Sequence, residues 1–300
     1  MSILIVGSVA LDGIKTPLGE CREVLGGSAT YSSTSARFFS PDVNIVAVVG
    51  KDFPEKHVRF FKKRGIGTDG LAREKGKTFR WEGEYGPDMA DARTIATHLN
   101  VFADFNPCIP QALKKSKFLF LANIDPDLQD KVLKQIARPQ LIVCDTMNYW
   151  IEKKPRQLKR LIGKVDVMLL NESEARQLTG VTSVIKAAKS IRKLGARIVI
   201  VKKGEHGALL FLKDSIFSAP AYLMESVFDP TGAGDTFAGG FLGYLAGRKR
   251  INDAELKKAL VYGNIMATFA VEDFSLGRLN SITRKDIEKR FREFKTLTRF

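Results

Sequence analysis

The sequence contains few cysteines and few histidines, and this scarcity excludes several kinds of site. Its three cysteines, Cys21, Cys108 and Cys144, are odd in number, far apart and without C-x-x-C spacing. They therefore argue against a disulfide framework and against a zinc site. The three histidines are equally scattered and have no partner at metal-ligand spacing, so we assign none of them a metal or nucleophile role.

Long apolar runs are also missing. No run approaches the roughly 18 to 20 residues that a membrane-spanning helix needs, so no membrane partner is expected. The first residues, MSILIVGSVALDG, lack a basic leader and a small-residue cleavage site. They are interpreted as a first buried strand rather than a signal peptide, and a cytoplasmic protein is expected.

Positive charge is in excess, with 48 Lys and Arg against 33 Asp and Glu, a formal net charge of +15. Residues 284–300 hold seven basic and three acidic residues, which leaves +11 spread over the other segments. No basic tract is interleaved with aromatics, so nucleic-acid binding is not indicated. The charge fits either a phosphorylated ligand or an adaptation to heat, and the sequence does not separate the two.

Short unbroken runs of Ile, Val and Leu recur along the chain and are typical of strands covered on both faces. Segments with helical periodicity lie between several of them, which is the β-α-β order of a mostly parallel sheet. The strand candidates are 3–10, 43–50, 117–123, 141–145, 166–170 and 197–204. The helix candidates are 127–137, 155–162, 184–194, 253–270 and a C-terminal stretch with Ile287, Phe291 and Phe294 on one face.

One segment breaks this order. Residues 77–105 begin with three closely spaced aromatics, Phe79, Trp81 and Tyr85, which are followed by a Gly-Pro-Asp turn and a second strand-like run, and they predict a β excursion away from the main sheet. No linker or composition shift marks a second independent domain, so a single domain over 1–300 is expected.

A glycine pattern at 65–70, GIGTDG, satisfies G-x-G-x-x-G but follows the expected end of a helix instead of leaving a strand. We interpret it as a helix C-cap followed by a loop, not as a dinucleotide site.

The stretch DPTGAGD at 229–235 has the features of an anion site. Gly232 and Gly234 free the backbone to direct N–H groups at one place, and a helix starting there adds a positive dipole end. Asp235 then lies in the first turn, where it could accept the proton of an attacking hydroxyl. The alternative is that Asp235 only complements the helix dipole, and the spacing alone does not choose between them.

DPTGAGDTFAGGF resembles the C-terminal signature of the PfkB family of ribokinase-like carbohydrate kinases. LGGSATYSSTSARFF at 25–39, GSVALD at 7–12, NESE at 171–174 and VKKGEHGALLF at 201–211 resemble further family elements in the same order. The resemblance implies a ribokinase-like three-layer α/β/α fold with a mostly parallel central sheet. It also implies a small β-sheet lid, mainly from about 77–105 with 13–24 as a second candidate segment, which in many members pairs two subunits. We therefore expect a homodimer through the lid.

The resemblance also implies roles for individual residues. Asp235 would be the catalytic base, with Gly232, Ala233 and Gly234 as the anion hole. Substrate binding would fall to Asp12, Gly26, Gly27 and Tyr31. ATP and Mg²⁺ would be held near Asn171, Glu174, Lys202, Gly204, Gly207, Thr231 and Asn264, with Glu174 reaching the metal through water.

Structural alternatives exist for several of these residues. Asp12 could form a turn before Gly13. Asn171 is also a good N-cap, with Glu174 at the capping-box position. A solvated charge is the favoured interpretation of Lys202.

The function that the resemblance implies is transfer of the γ-phosphoryl of ATP to a hydroxymethyl group of a sugar or sugar-like molecule. Ribokinases proper carry Lys and Asn in the Gly-Gly segment where this chain has Ser28 and Tyr31. An aromatic Tyr31 could stack on a flat substrate, so a nucleoside kinase is the first alternative. A catalytically silent binding or regulatory protein is the second, although it would have no chemical need for Asp235.

Overall fold

The computed structural model describes residues 1–90 and 92–299, which form two sheets and their covering helices. The strands are β1 (Ile3–Val6), β2 (Ala10–Thr16), β3 (Gly19–Gly26), β4 (Val43–Gly50), β5 (Ile66–Glu74), β6 (Arg80–Tyr85), β7 (Ala92–His98), β8 (Phe118–Leu121), β9 (Leu141–Cys144), β10 (Val167–Asn171), β11 (Ile198–Lys202), β12 (Ala208–Phe211) and β13 (Ile216–Ala219). The helices are α1 (Ser28–Ala36), α2 (Glu55–Lys63), α3 (Pro126–Leu133), α4 (Asn148–Lys153), α5 (Pro155–Ile162), α6 (Glu172–Thr179), α7 (Val184–Lys193), α8 (Ala233–Ala246), α9 (Asp253–Ala270), α10 (Gly277–Ser281) and α11 (Arg284–Leu297). Short 3₁₀ turns occupy Asn100–Phe102, Gln111–Leu113 and Gly204–His206.

The large sheet has the order β13-β12-β11-β10-β9-β8-β1-β4-β5. The pairings from β11 to β5 are parallel, and β12 and β13 are added in antiparallel fashion. Side chains alternate between the faces of a strand. Accordingly, Ile3 and Ile5 lie in the core with α1, α8 and α9, while Leu4 and Val6 lie in the core with α5 and α7. The result is a three-layer arrangement with helices on both faces of the sheet.

Most predicted elements are present, with boundaries that shift by a few residues. The first strand is an exception, because the apolar run at 3–10 is not one strand. A side chain at Gly7 would meet Ser28 Oγ at 2.7 Å and Ala122 at 2.8 Å. The chain leaves the large sheet at this crowded point, and β2 continues into the small sheet.

The small sheet has the order β3-β2-β6-β7. Its central pairing, between β2 and β6, is parallel and joins segments about 70 residues apart in the chain. The predicted excursion at 77–105 supplies β6 and β7, and the second candidate segment at 13–24 falls within β2 and β3. Residue 91 of the excursion lies outside the described residues. We call this sheet the lid sheet.

The glycine pattern at 65–70 is only partly as expected. Gly65 is in the left-handed region, with φ of 68°, and follows α2 as predicted. The residues after it form strand β5 and not a loop. A dinucleotide site needs a strand before the glycines and a helix after them, whereas here α2 precedes them and β5 contains most of them, so the pattern is not such a site.

Close packing of α1 against α8 fixes the start of α8. A side chain at Gly239 would collide with the carbonyl oxygen of Ser32, and one at Gly243 would lie 2.8 Å from Ala36 Cα. Ser35 Oγ also donates to the carbonyl oxygen of Thr236 at 2.7 Å. Small residues on both helices allow this approach, which explains why every residue of α1 is buried. Within residues 1–90 and 92–299, no helix combines the length and hydropathy of a bilayer span.

Candidate active site

The loop before α8 leaves backbone donors at the helix N-terminus. Gly232 is the N-cap, with φ of 75°, and it has no side chain to accept from the first-turn N–H groups. The N–H of Ala233 donates to the carbonyl oxygen of Pro230 at 3.1 Å, so it is engaged within the loop. The N–H groups of Gly234 and Asp235 occupy the next two positions, where a helix provides no acceptor. These two amides and the helix dipole suit an anion, and we call residues 229–234 the anion loop.

The ring of Tyr31 packs directly against this loop at Gly232. A side chain at Gly232 would collide with the Tyr31 ring, and Tyr31 is only 1% exposed. Burial, followed by the negative charges of Asp229 and Asp12, raises the pKa of Tyr31 well above its usual range. The expected stacking surface for a substrate is therefore covered by the loop in this structure.

Asp235 is half-buried at the start of α8. Burial and the negative charge of Asp145 raise the pKa of Asp235 to about 7, although the ammonium of Lys202 acts in the opposite direction. A carboxylate with such a pKa can accept a proton near neutral pH and release it again.

Lys202 ends β11 and points at the same loop. Its Nζ lies 2.9 Å from Asp145 Oδ2, and the side chain is 18% exposed. A side chain at Gly234 would meet this Nζ at 3.1 Å. Burial opposes the charge, but the carboxylates of Asp145, Glu174 and Asp235 outweigh it and raise the pKa of Lys202. The prediction of a solvated lysine was therefore wrong, because the side chain is ion-paired beside the anion loop.

Asp12 faces the site from β2 of the lid sheet. A side chain at Gly26 would collide with the Asp12 carboxylate. Gly27 has a φ of 93°, and a side chain there would lie 2.5 Å from the Ser8 carbonyl oxygen. Both glycines are thus required by close approach. Burial, then the charge of Asp229, raises the pKa of Asp12 to about 8, while a hydrogen bond from the Gly27 backbone lowers it.

Asn171 and Glu174 form the capping box of α6. Asn171 Oδ1 accepts from the Glu174 N–H at 2.7 Å, and Glu174 Oε2 accepts from the Asn171 N–H at 2.7 Å. Asn171 is the register partner of Lys202 across β10 and β11. The box therefore stands directly beside the Lys202–Asp145 pair. Among the described residues, no three His, Cys, Asp or Glu side chains are arranged to hold a metal ion by themselves.

The remaining predicted nucleotide residues lie near the β11–β13 edge. Gly204 and Gly207 both have positive φ, 54° and 89°. A side chain at Gly207 would collide with the carbonyl oxygen of Ala219. Asn264 is buried in α9, and its Nδ2 donates to the Pro220 carbonyl oxygen at 3.2 Å. That amide group therefore fixes the chain after β13.

Sequence reasoning missed two carboxylates and one serine of this site. Asp229 is buried, with Oδ1 accepting from the Thr231 N–H at 2.9 Å and Oδ2 from the Ser275 N–H at 3.0 Å. Ser275 Oγ donates to the Leu25 carbonyl oxygen at 2.6 Å, which ties the anion loop to the Gly26–Gly27 segment. The other missed carboxylate, Asp145, follows β9 directly. Its position at the carboxyl end of a parallel strand was a usable signal.

The lid sheet touches the anion loop. Tyr85, the last residue of β6, places its hydroxyl 3.1 Å from Thr231 Oγ1. The charge of Asp235 also raises the pKa of Asp12, so the predicted substrate residue on β2 and the predicted base on α8 face a common space.

Comparison with known proteins is consistent over nearly the whole chain. The cytidine kinase of Thermococcus kodakarensis is 29% identical over 253 residues, which cover 83% of this chain and 90% of that protein. A Burkholderia thailandensis nucleoside kinase in complex with ADP-inosine matches the structure with a TM-score of 0.81 at 20% identity, covering 97% of this chain and 95% of that one. Ribokinase of Thermotoga maritima matches with a TM-score of 0.77 at 22% identity, covering 97% and 99%.

These two structural matches confirm the predicted ribokinase-like fold. The sequence profile of the pfkB family carbohydrate kinases matches residues 8–282. Since this match spans most of the chain, the protein belongs to the pfkB carbohydrate kinase family.

Proposed function

We propose that the protein transfers the γ-phosphoryl of ATP to a hydroxymethyl group of a sugar or nucleoside, with Asp235 as the general base. The observation that carries the proposal is the position of Asp235, in the first turn of α8 beside Gly234 and Lys202 and with a pKa of about 7. A base poised near neutrality matches the task of deprotonating an alcohol as it attacks.

The transfer needs no reactant besides ATP, the acceptor hydroxyl and Asp235. The hydroxymethyl oxygen forms a bond to the γ-phosphorus, the bond from that phosphorus to the bridging oxygen of ADP breaks, and the hydroxyl proton moves to the Asp235 carboxylate. ADP leaves with the electron pair of the broken bond. Asp235 then returns its proton to solvent.

The charge of the transferred group would be balanced by the anion loop. The amides of Gly234 and Asp235, the dipole of α8 and the Lys202 ammonium converge beside the base. Fixed donors of this kind stabilise charge that develops in the transition state. Gly232 and Ala233, which the sequence assigns to the same hole, would shape the loop, since the Ala233 N–H is already engaged.

Asp12 would hold the acceptor. With a pKa of about 8, its carboxyl group carries a proton at neutral pH and offers both a donor and an acceptor to substrate hydroxyls. Gly26 leaves room for this carboxyl group, and Gly27 lets the chain pass close to the Ser8 backbone.

Magnesium fits this site in the manner of a nucleotide-bound ion. Mg²⁺ commonly takes one or two protein carboxylates together with substrate phosphates and waters, so a complete protein cage is not required. Glu174, through water, and Asp145 would hold it near the phosphates of ATP. When bound, the ion neutralises phosphate charge.

The lid sheet would close over the acceptor and exclude water, which otherwise competes for the phosphoryl group. The contact between Tyr85 and Thr231 supports this role. In this proposal the chain acts as one kinase domain over 1–300. A homodimer through the lid sheet stays a prediction.

Two relatives favour a nucleoside as the second candidate acceptor class. The cytidine kinase and the nucleoside kinase bound to ADP-inosine share the family or the fold of this chain. The silent alternative has less support, because the base, the anion loop and Asp12 face one another.

The test is acceptor-dependent ADP release from Mg-ATP with pentoses, hexoses, keto-sugar acids and nucleosides. We expect one class to stimulate turnover and Asp235→Asn to abolish it while ATP still binds. Asp214→Asn, at an exposed position after β12, is the matched control and should remain active. Equal activity of the wild type and Asp235→Asn would remove Asp235 as the base.

A further inference from the structure

Trp81 lies on the face of the lid sheet that looks toward the candidate active site. It is the register partner of Asp12 in the parallel pairing of β2 and β6. Side chains alternate along a strand, so Trp81, Gly83 and Tyr85 share one face of β6. The Tyr85 hydroxyl reaches Thr231 in the anion loop, which fixes that face as the inner one.

The indole is held in place by the sheet itself. Its Nε1 donates to Thr94 Oγ1 on β7 at 3.3 Å. A side chain at Gly83 would collide with the six-membered ring of Trp81, so the ring rests over the glycine. The side chain is only half-buried. A large aromatic ring is therefore fixed by one hydrogen bond and a glycine while part of its surface remains open.

Trp81 and Asp12 lie side by side on adjacent strands, a placement that suits two linked rings. Neighbouring strands lie about 4.8 Å apart, and β6 is on the side of β2 away from Gly26 and Gly27. A sugar whose hydroxyls contact Asp12 would occupy the space over β2 and the glycines. A planar group attached to that sugar would extend over β6 and meet the indole.

We propose that the acceptor is a nucleoside, with its ribose at Asp12 and its base stacked on Trp81. The proposal rests on the proposed function for the transfer itself and adds the substrate class and the residue that selects it. Stacking on an aromatic side chain tolerates different bases, because every base offers a flat face. Trp81 thus replaces Tyr31, which the anion loop covers, as the aromatic that recognises a flat substrate.

The test measures binding and not turnover. Isothermal titration calorimetry would give the dissociation constants of ribose, cytidine, uridine, adenosine and inosine for the wild type, Trp81→Leu and Trp81→Phe. We expect at least one nucleoside to bind about 10- to 100-fold more tightly than ribose. Trp81→Leu should remove most of this advantage, and Trp81→Phe should keep most of it because phenylalanine retains a stacking face.

Ile95→Thr, at an exposed position of β7 in the same sheet, is the control for general damage to the lid and should preserve the nucleoside advantage. The proposal is overturned if ribose binds as tightly as all four nucleosides, or if Trp81→Leu retains the full advantage. It is also overturned if Trp81→Leu weakens ribose and nucleosides by the same factor, which would show only a structural role.

These outcomes separate the two proposals. Suppose that nucleosides bind more tightly than ribose but no acceptor stimulates ADP release. That result would support the role of Trp81 and contradict the proposed phosphoryl transfer. Turnover of a free sugar, with no tighter binding of nucleosides, would support the phosphoryl transfer and contradict the role of Trp81.

Discussion

The pKa of Asp235 sets the pH at which the kinase should become active. With a pKa of about 7, roughly half of the Asp235 side chains are ionised at pH 7 and about a tenth at pH 6. We therefore expect kcat/KM for the acceptor, measured at saturating Mg-ATP, to fall about tenfold per pH unit below pH 7 and to change little between pH 7 and about 8, where Asp12 begins to lose its proton. A carboxylate at the ordinary value of 3.8 would give a flat profile over this range.

Substitutions of the neighbours of Asp235 test the same reasoning, because each should move the midpoint of the pH profile in a predicted direction. Asp145 raises the pKa of Asp235, so Asp145→Asn should move the midpoint of the profile to lower pH. Lys202 lowers that pKa, so Lys202→Met should move the midpoint to higher pH. Asp214→Asn should leave it in place. A flat wild-type profile between pH 5.5 and 8.5, or an upward movement in Asp145→Asn, would refute the reasoning.

Three further predictions concern stability and the loop. Gly232→Ala should lower the free energy of unfolding by about 2 kcal/mol or more, since alanine is strained at φ of 75° and its methyl group would collide with Tyr31; denaturant unfolding measures it, and an unchanged midpoint would contradict it. Between pH 3.8 and about 8, Asp12 is protonated in the folded state but ionised in the unfolded state. The stability that this bound proton contributes is therefore present at low pH and is lost as the pH rises through about 8. Asp12→Asn should therefore flatten the fall in melting temperature between pH 5 and 9, and a slope equal to that of the wild type would count against the assignment. Asn171→Ala should cost about 1 kcal/mol by opening the capping box with Glu174, read as a lower melting temperature, whereas no loss would mean that the box contributes nothing.

Strands were predictable where burial on both faces leaves an unbroken apolar run. β4 and α5 even have the predicted boundaries, Val43–Gly50 and Pro155–Ile162. The break of the first run at Gly7 was not predictable, because it depends on contact with Ser28 and Ala122. Contacts between distant residues are not encoded in local periodicity.

The same limit applies to the site. The anion loop and Asp235 were found from one local motif, and Asn171 with Glu174 from a local spacing. Lys202 was misjudged because its ion pair with Asp145 joins two strand ends that only the sheet brings together. The aromatic role was first given to Tyr31 because the parallel pairing of β2 and β6, which puts Trp81 beside Asp12, has no signature in the sequence.

The most direct test of the central claim is analysis of the reaction product. The purified protein would be incubated with Mg-ATP and the acceptor that stimulates ADP release, and the product analysed by mass spectrometry and ³¹P NMR. We predict one phosphoryl group on the hydroxymethyl oxygen of the acceptor, in amounts equal to the ADP formed, and none with Asp235→Asn. Formation of ADP with inorganic phosphate alone, or the same phosphorylated product from Asp235→Asn, would contradict the account.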